Sequence, residues 1–287
     1  MKLAICHITK YSYQEPVVDS INEIRLSPIS ADGQACEYHS ITIEPSAPLF
    51  SYEDYFGNRV HAFSVDMPHQ ELSIMTQSVV TTSIEVQKPS SDLGQQERSG
   101  ILHAKAFRDH HIDLLLPSRR APLTEGVTDY ARKIELPEKE PYFIADAIAK
   151  QIHADFQYDP DATHVQTTIQ EMLSIRRGVC QDFAHLMIAI CRFKGLPARY
   201  VSGYHFIGDL QVGAHEFQQA SHAWVEVFIP GMGWCGFDPT NNAPVNGRYV
   251  KLGHGRDYED ITPVKGVYRG TPVQKMSVTV DVQKLSD

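Results

Sequence analysis

The period of the sequence changes partway along the chain, which restricts the fold to one in which a β-rich part precedes a helical part. From Lys2 to Val86 the residues run in short alternating segments, among them Ile5-His7-Thr9-Tyr11, Asn22 to Leu26, Glu37 to Ile43 and Leu72 to Val86, separated by Pro, Gly and Asn. Strands send successive side chains to opposite faces, so this spacing predicts an antiparallel β-sandwich. Gln87 to Gly100 (QKPSSDLGQQERSG) is polar and aperiodic, and reads as a linker or exposed loop. At 287 residues the chain exceeds the usual size of one core. The expected division is a β-sandwich domain over 1–100, with the polar linker at its end, and a second domain over 101–287.

Beyond the linker the apolar residues take up helical spacing. Helices are expected over Thr124 to Leu136 and Pro141 to Phe156, the second with Phe143, Ile144, Ala147, Ile148, Ile152 and Phe156 on its stripe. A shorter helix should begin at Thr167 or Thr168, each with a capping-box partner three residues on, Gln170 and Glu171 respectively. Cys180 to Lys194 carries the strongest helical stripe (Phe183, Ala184, Met187, Ile188, Cys191) and is closed by Gly195 and Pro197. Strands follow over Ala198 to Phe206, Ala220 to Ile229 and, after the turn Pro230-Gly231-Met232-Gly233, Trp234 to Phe237. Lys275 to Lys284 alternates as a last strand, free to return to either domain.

Charge narrows the partners. With 35 acidic against 26 basic residues and a net charge of −9, the chain lacks the electrostatic footprint of a binder of nucleic acid or anionic lipid. The longest apolar run, Phe183 to Phe193, is interrupted by His185 and Arg192 and is too short to span a bilayer, so no membrane segment is expected. Met1-Lys2-Leu3-Ala4-Ile5-Cys6-His7-Ile8 has neither a sustained apolar stretch nor a small-residue cleavage site, which points to a cytoplasmic location. The five cysteines (Cys6, Cys36, Cys180, Cys191, Cys235) are odd in number and lack CxxC pairing, as suits a reducing compartment.

Chemistry concentrates on Cys180. A thiol must become a thiolate to act as a nucleophile, and the first position of a helix favours the anion through its unpaired amides and aligned peptide dipoles. A cysteine there can equally be a small packed residue, so position alone decides nothing. The weight comes from His222-Ala223-Trp224 followed, sixteen residues after the histidine, by Asp238-Pro239-Thr240, which suits a base and its orienting carboxylate on neighbouring strands. If Ile229 faces Gly233 around a three-residue loop, Trp224 faces Asp238 and His222 lies diagonally from it on the same face. A slip of one residue would put the two side chains on opposite faces.

Trp224 can shield such a site or simply fill the core. Gln181 and Asp182 suit the first helical turn, and Tyr158 and Asp159 read as loop residues near the motif. The fourteen histidines call for no metal or other cofactor, because neither HExxH nor CxxC accompanies them. His110, His111, His205, His215 and His254 read as surface or satisfied polar residues, and no calcium-loop pattern appears.

Three blocks also carry a family likeness: R-x-G-V-C-Q-D-F-A-H (Arg176 to His185), S-H-A-W-V-E-V (Ser221 to Val227) and G-W-C-G-F-D-P-T-N (Gly233 to Asn241). Together, in this order, they resemble the transglutaminase-like superfamily, and with Gly255-Arg256-Asp257-Tyr258 the chain is similar to a bacterial subgroup with an N-terminal β-domain. The resemblance implies an α+β fold: an N-terminal antiparallel β-sandwich, then a papain-like, transglutaminase-like core of helices packed on an antiparallel sheet. It also implies a catalytic Cys180, His222 and Asp238, acting on a peptide or other amide through an acyl-thioester. Hydrolysis is the leading expectation and acyl transfer to an amine the alternative; a non-catalytic binding module is the third. The N-terminal region then has three roles open to it: gating the site, binding substrate, or mediating a homo-oligomer.

Overall fold

The computed structural model describes residues 1–31, 33–83, 93–136, 139–162, 167–208, 221–270 and 273–285. Its N-terminal part is organised by one long strand, β1 (Lys2–Ile24). β2 (Gln34–Glu44), β3 (Phe50–Glu53), β4 (Arg59–Val65) and β5 (His69–Thr82) follow, and with β1 they run in the antiparallel order β2-β5-β1-β4-β3. β1 pairs with β5 from Lys2 to Ser12 and with β4 from Ser20 to Ile24. Between these stretches the register shifts and Asp19 takes a positive φ of 51°. Such an irregularity bends a strand, and here it curls the sheet so that β1 passes from one layer to the other. Tyr13, Val17, Ile24, Ile43, Phe63, Leu72 and Ile74 are buried together between the layers.

The expected linker is partly helical. Gln87 to Ser91 and Asp92 lie outside the described residues, but Gln95–His103 forms α1. Its polar sequence hid it, because only Arg98 and Leu102 are buried, and Arg98 is held by the Glu140 carboxylate and by the Leu93 carbonyl at 2.7 Å. Two short helices, α2 (Lys105–His110) and α3 (Ile112–Leu115), continue from it.

The expected helices then appear in order: α4 (Glu125–Lys133), α5 (Pro141–Asp155), α6 (Ile169–Ile175) and α7 (Cys180–Phe193). At α6 the capping box selects Thr168, whose amide donates to Glu171 Oε2 at 2.7 Å while its Oγ1 accepts from the Glu171 amide at 3.2 Å. Two-residue strands β6 (Gln157–Tyr158) and β7 (Arg177–Gly178) pair in parallel just before α7.

α7 is buried from Asp182 to Arg192 and packs on the second sheet. That sheet contains β8 (Ala198–His205), β9 (Ser221–Ile229), β10 (Gly233–Asp238), β11 (Ala243–Pro244) and β12 (Tyr249–Gly255), in the order β11-β10-β9-β8-β12. Phe183, Met187, Ile190, Val225 and Val227 share one core between helix and sheet. Finally, β13 (Val264–Arg269) and β14 (Gln274–Lys284) return to pair with β1, so the last strand completes the N-terminal sheet. No helix among the described residues is long and apolar enough to cross a membrane.

Candidate active site

Cys180 owes its position to tight local packing. Val179, in extended conformation (φ −110°, ψ 177°), precedes the helix, and its amide donates to the Asp182 carboxylate at 2.9 Å. Asp182 thereby satisfies the helix start and complements its dipole, as its first-turn position implied. Gly178 has no room for a side chain: a Cβ there would lie 2.9 Å from Asp182 Oδ2 and 3.2 Å from Met172 Cγ. The β6–β7 pair fixes the approach, with the Asp159 amide donating to the Gly178 carbonyl at 3.0 Å. Because the rest of α7 is anchored in the core, Cys180 is held rigidly, yet it stays half-buried and lines a cavity of about 370 Å³ together with His222.

The hairpin carries the other two groups. β9 and β10 pair from Ile229–Gly233 through Val225–Phe237, which is the three-residue-loop register; the inverted alternative does not occur. His222 Nε2 consequently lies 2.8 Å from Asp238 Oδ2. The other ring nitrogen, Nδ1, is not the one engaged by Asp238, and Cys180 lines the same cavity as the ring and is among the groups that raise its pKa. Across the other edge of β9, His222 pairs with Gly203, where any Cβ would meet the Val250 carbonyl and the Trp224 ring. The structure thus brings Cys180, His222 and Asp238 into one cluster.

Asp238 is 1% exposed, and four further donors converge on its carboxylate. Oδ1 accepts from the amides of Thr240 at 2.9 Å and Asn241 at 3.2 Å. Oδ2 accepts from Asn241 Nδ2 and from the Tyr249 hydroxyl, both at 2.7 Å. Sequence reasoning missed both side chains as site residues. Asn241 had a signal, since it stands three residues after Asp238 within the third block; Tyr249 had none, being delivered by β12 from the far side of the sheet.

Aromatic rings enclose the pair. Trp224 is 2% exposed, lies nearly parallel to the His222 ring at 6.3 Å and meets Tyr249 edge-on at 5.3 Å, so it is at once a core residue and the floor beneath the histidine. His205, expected as a surface or satisfied polar residue, is buried and stacks on Tyr249 at 4.3 Å. Burial, with the neighbouring His222 charge, lowers its pKa to about 4, so it is neutral at pH 7. Tyr158 is partly buried against the core, and burial followed by the Cys180 charge raises it to about 12. Asp159 pairs with Arg177 at 3.5 Å at the surface, as a loop residue would. His215 lies outside the described residues.

The electrostatics are set by competition. Burial opposes charge on His222, but the Asp238 carboxylate and Cys180 outweigh it and raise the ring to about 10. Burial likewise opposes the Asp238 anion, yet His222, Tyr249 and Asn241 hold it well below the usual carboxylate range. At neutral pH an imidazolium therefore sits between carboxylate and sulfur. Its contribution to stability is complete below the ordinary histidine value of 6.5 and lost as pH rises through about 10. The Asp238 contribution is present above the ordinary 3.8 and lost as pH falls through its lower folded value.

Tyr249→Phe removes one charge-assisted donor with little change of shape. It is expected to cost about 1.5–3 kcal/mol at neutral pH. The gap from wild type should shrink in acid as Asp238 protonates and no longer needs the donor. Thermal unfolding of both proteins across pH checks this, and a pH-independent gap would contradict it.

Comparison with known proteins gives a consistent picture. A model of the bacterial transglutaminase-like N-terminal region matches residues 3–81, and one of the transglutaminase-like superfamily matches residues 128–239. An uncharacterized protein of Mycobacterium leprae is 34% identical over 99% of both chains. One of Mycobacterium tuberculosis is 33% identical over 97% of this chain and 91% of its own. A Pseudomonas aeruginosa protein named protein-glutamine gamma-glutamyltransferase is 30% identical over 151 residues, 47% of this chain and 22% of that protein. Among solved structures, a candidate cysteine protease from Cytophaga hutchinsonii superposes with a TM-score of 0.75 at 24% identity, covering 100% of this chain and 91% of that one, which shows a shared fold.

Proposed function

The chain belongs to the transglutaminase-like superfamily, and on that premise we propose that it is a cysteine-dependent amide hydrolase working through an acyl-thioester on Cys180. The observation that carries this reading is the 2.8 Å contact between His222 and Asp238, with the ring held protonated beside Cys180. The Cys180 thiolate attacks the amide carbonyl carbon, and His222 gives its proton to the nitrogen as the C–N bond breaks, releasing an amine. The neutral ring then takes a proton from water, whose oxygen adds to the acyl carbon; the C–S bond breaks and thiolate and imidazolium are restored. Asp238 fixes the ring and stabilises its charged form throughout. The Cys180 amide, at the first position of α7 and so without an intrahelical acceptor, is a natural donor to the oxyanion.

Acyl transfer to an amine is the second reading, favoured by the name of the Pseudomonas relative. Both share every step up to the acyl-enzyme and differ in the acceptor. Hydrolysis leads because the half-buried sulfur faces an open cavity and water is always at hand. Incubation with peptide and side-chain amides plus a labelled amine, read by mass spectrometry, tests the reading. Free acid formed by wild type and not by Cys180→Ala is the expected result, a covalent amine adduct would establish the second reading, and no Cys180-dependent product in the presence of a broad amide library would contradict both.

A further inference from the structure

The cavity at Cys180 has two walls. One comes from α7, β8 and β9; the other comes from the N-terminal sheet. Along that second wall β1 and β14 pair Tyr11 with Met276, Thr9 with Val278 and His7 with Val280, and all six side chains line the cavity. The pairs sit at alternate positions, so they stand on one face of the sheet. Met276 and Val278 are 58% and 46% exposed, although both are large apolar residues on a cavity wall.

Apart from His222, whose charge is matched by Asp238, the lining of this space is uncharged. Among the described residues no Asp, Glu, Lys or Arg lines the cavity. His7 is held by the Tyr204 hydroxyl and Thr9 Oγ1, both at 2.9 Å, and its burial leaves it neutral at pH 7. A charged substrate side chain lying on the β1–β14 face would shed water and meet no counter-charge on that face, whereas an apolar one would cover Met276 and Val278. A volume of about 370 Å³ is within the range of sites that enclose small organic ligands.

We propose that the β1–β14 face is the side-chain subsite of the enzyme, accepting an uncharged apolar or aromatic group of the amide substrate, with Met276 and Val278 setting the preference. The proposal rests on the cysteine-hydrolase reading and adds the substrate class. It gives the N-terminal sheet the substrate-binding role among the three open to it.

The test uses dipeptidyl chloromethyl ketones on one backbone, with Phe, Leu, Asp or Lys at either position, scored as the rate of Cys180 alkylation by mass spectrometry. Each rate is divided by that of iodoacetamide on the same protein, which normalises for the state of the thiol. Phe and Leu probes should react about ten- to a hundredfold faster than Asp and Lys probes in wild type. Val278→Asp and Met276→Lys, two independent changes at exposed positions, should each reduce that preference to within about threefold, with Val278→Asp favouring the Lys probe. Equal rates for all probes in wild type, or an unchanged preference in both variants, would overturn the subsite while a fast iodoacetamide reaction left the catalytic reading in place. A Cys180 no more reactive than a free model thiol would remove the catalytic reading and the subsite with it.

Discussion

Asp238→Asn is expected to reduce kcat/KM on amide substrates by about 10³–10⁴-fold, despite replacing one atom in a residue that never touches the substrate. The reason is the company Asp238 keeps. Its Oδ1 accepts two backbone amides, and its Oδ2 accepts His222, Asn241 and Tyr249, so every partner of the carboxylate is a donor. An asparagine must turn its NH₂ toward one of these sets, which places donor against donor in a site 1% exposed. His222 then loses the charge that raises its pKa, and its preferred tautomer is no longer enforced. Removal of a buried ionic partner should also destabilise the fold by about 3–5 kcal/mol. Steady-state kinetics with thermal unfolding on the same variant checks both effects; an active, fully stable Asp238→Asn would show that the carboxylate is not needed.

His222→Ala should be more severe for amides than for activated esters. Expulsion of an amine needs a proton on nitrogen, and His222 is the group placed to give it, whereas a nitrophenolate leaves without one. Loss of the imidazolium also weakens the thiolate, so both substrates suffer, but the amide should lose at least about 10⁴-fold and the ester about a hundredfold less. In wild type the alkaline limb of kcat/KM for the amide should fall at about pH 10, where His222 gives up its proton. Equal losses on both substrates would contradict the assignment of His222 as the acid.

Much of this site was legible because its determinants are local. The helix at Cys180 followed from an apolar stripe closed by Gly195 and Pro197, and α7 runs over Cys180–Phe193. The diagonal placement of His222 and Asp238 followed from the length of one hairpin loop, and Gly233 does pair with Ile229. Thr168 announced itself through its capping box with Glu171. What the sequence concealed depended on distant partners. Alternation in Lys275 to Lys284 showed a strand, yet only the pairing of β14 with β1 reveals that it walls the cavity. Tyr249 gains its meaning from the pairing of β12 with β8, and Arg98, which ties the polar α1 to the body, from Glu140 far along the chain. Trp224, undecided between two roles, is buried as a core aromatic, and β9 presents its ring near His222 and against Tyr249.

The proposed function rests on Cys180 being a nucleophile whose reactivity depends on a protonated His222 oriented by Asp238. The most direct measurement is the rate of Cys180 alkylation by iodoacetamide as a function of pH, in wild type and His222→Ala. At pH 7 wild type should react at least about tenfold faster than a model thiol, and His222→Ala should fall to the model rate. A wild-type thiol that reacts no faster than the model compound, with His222→Ala unchanged from it, would contradict the account.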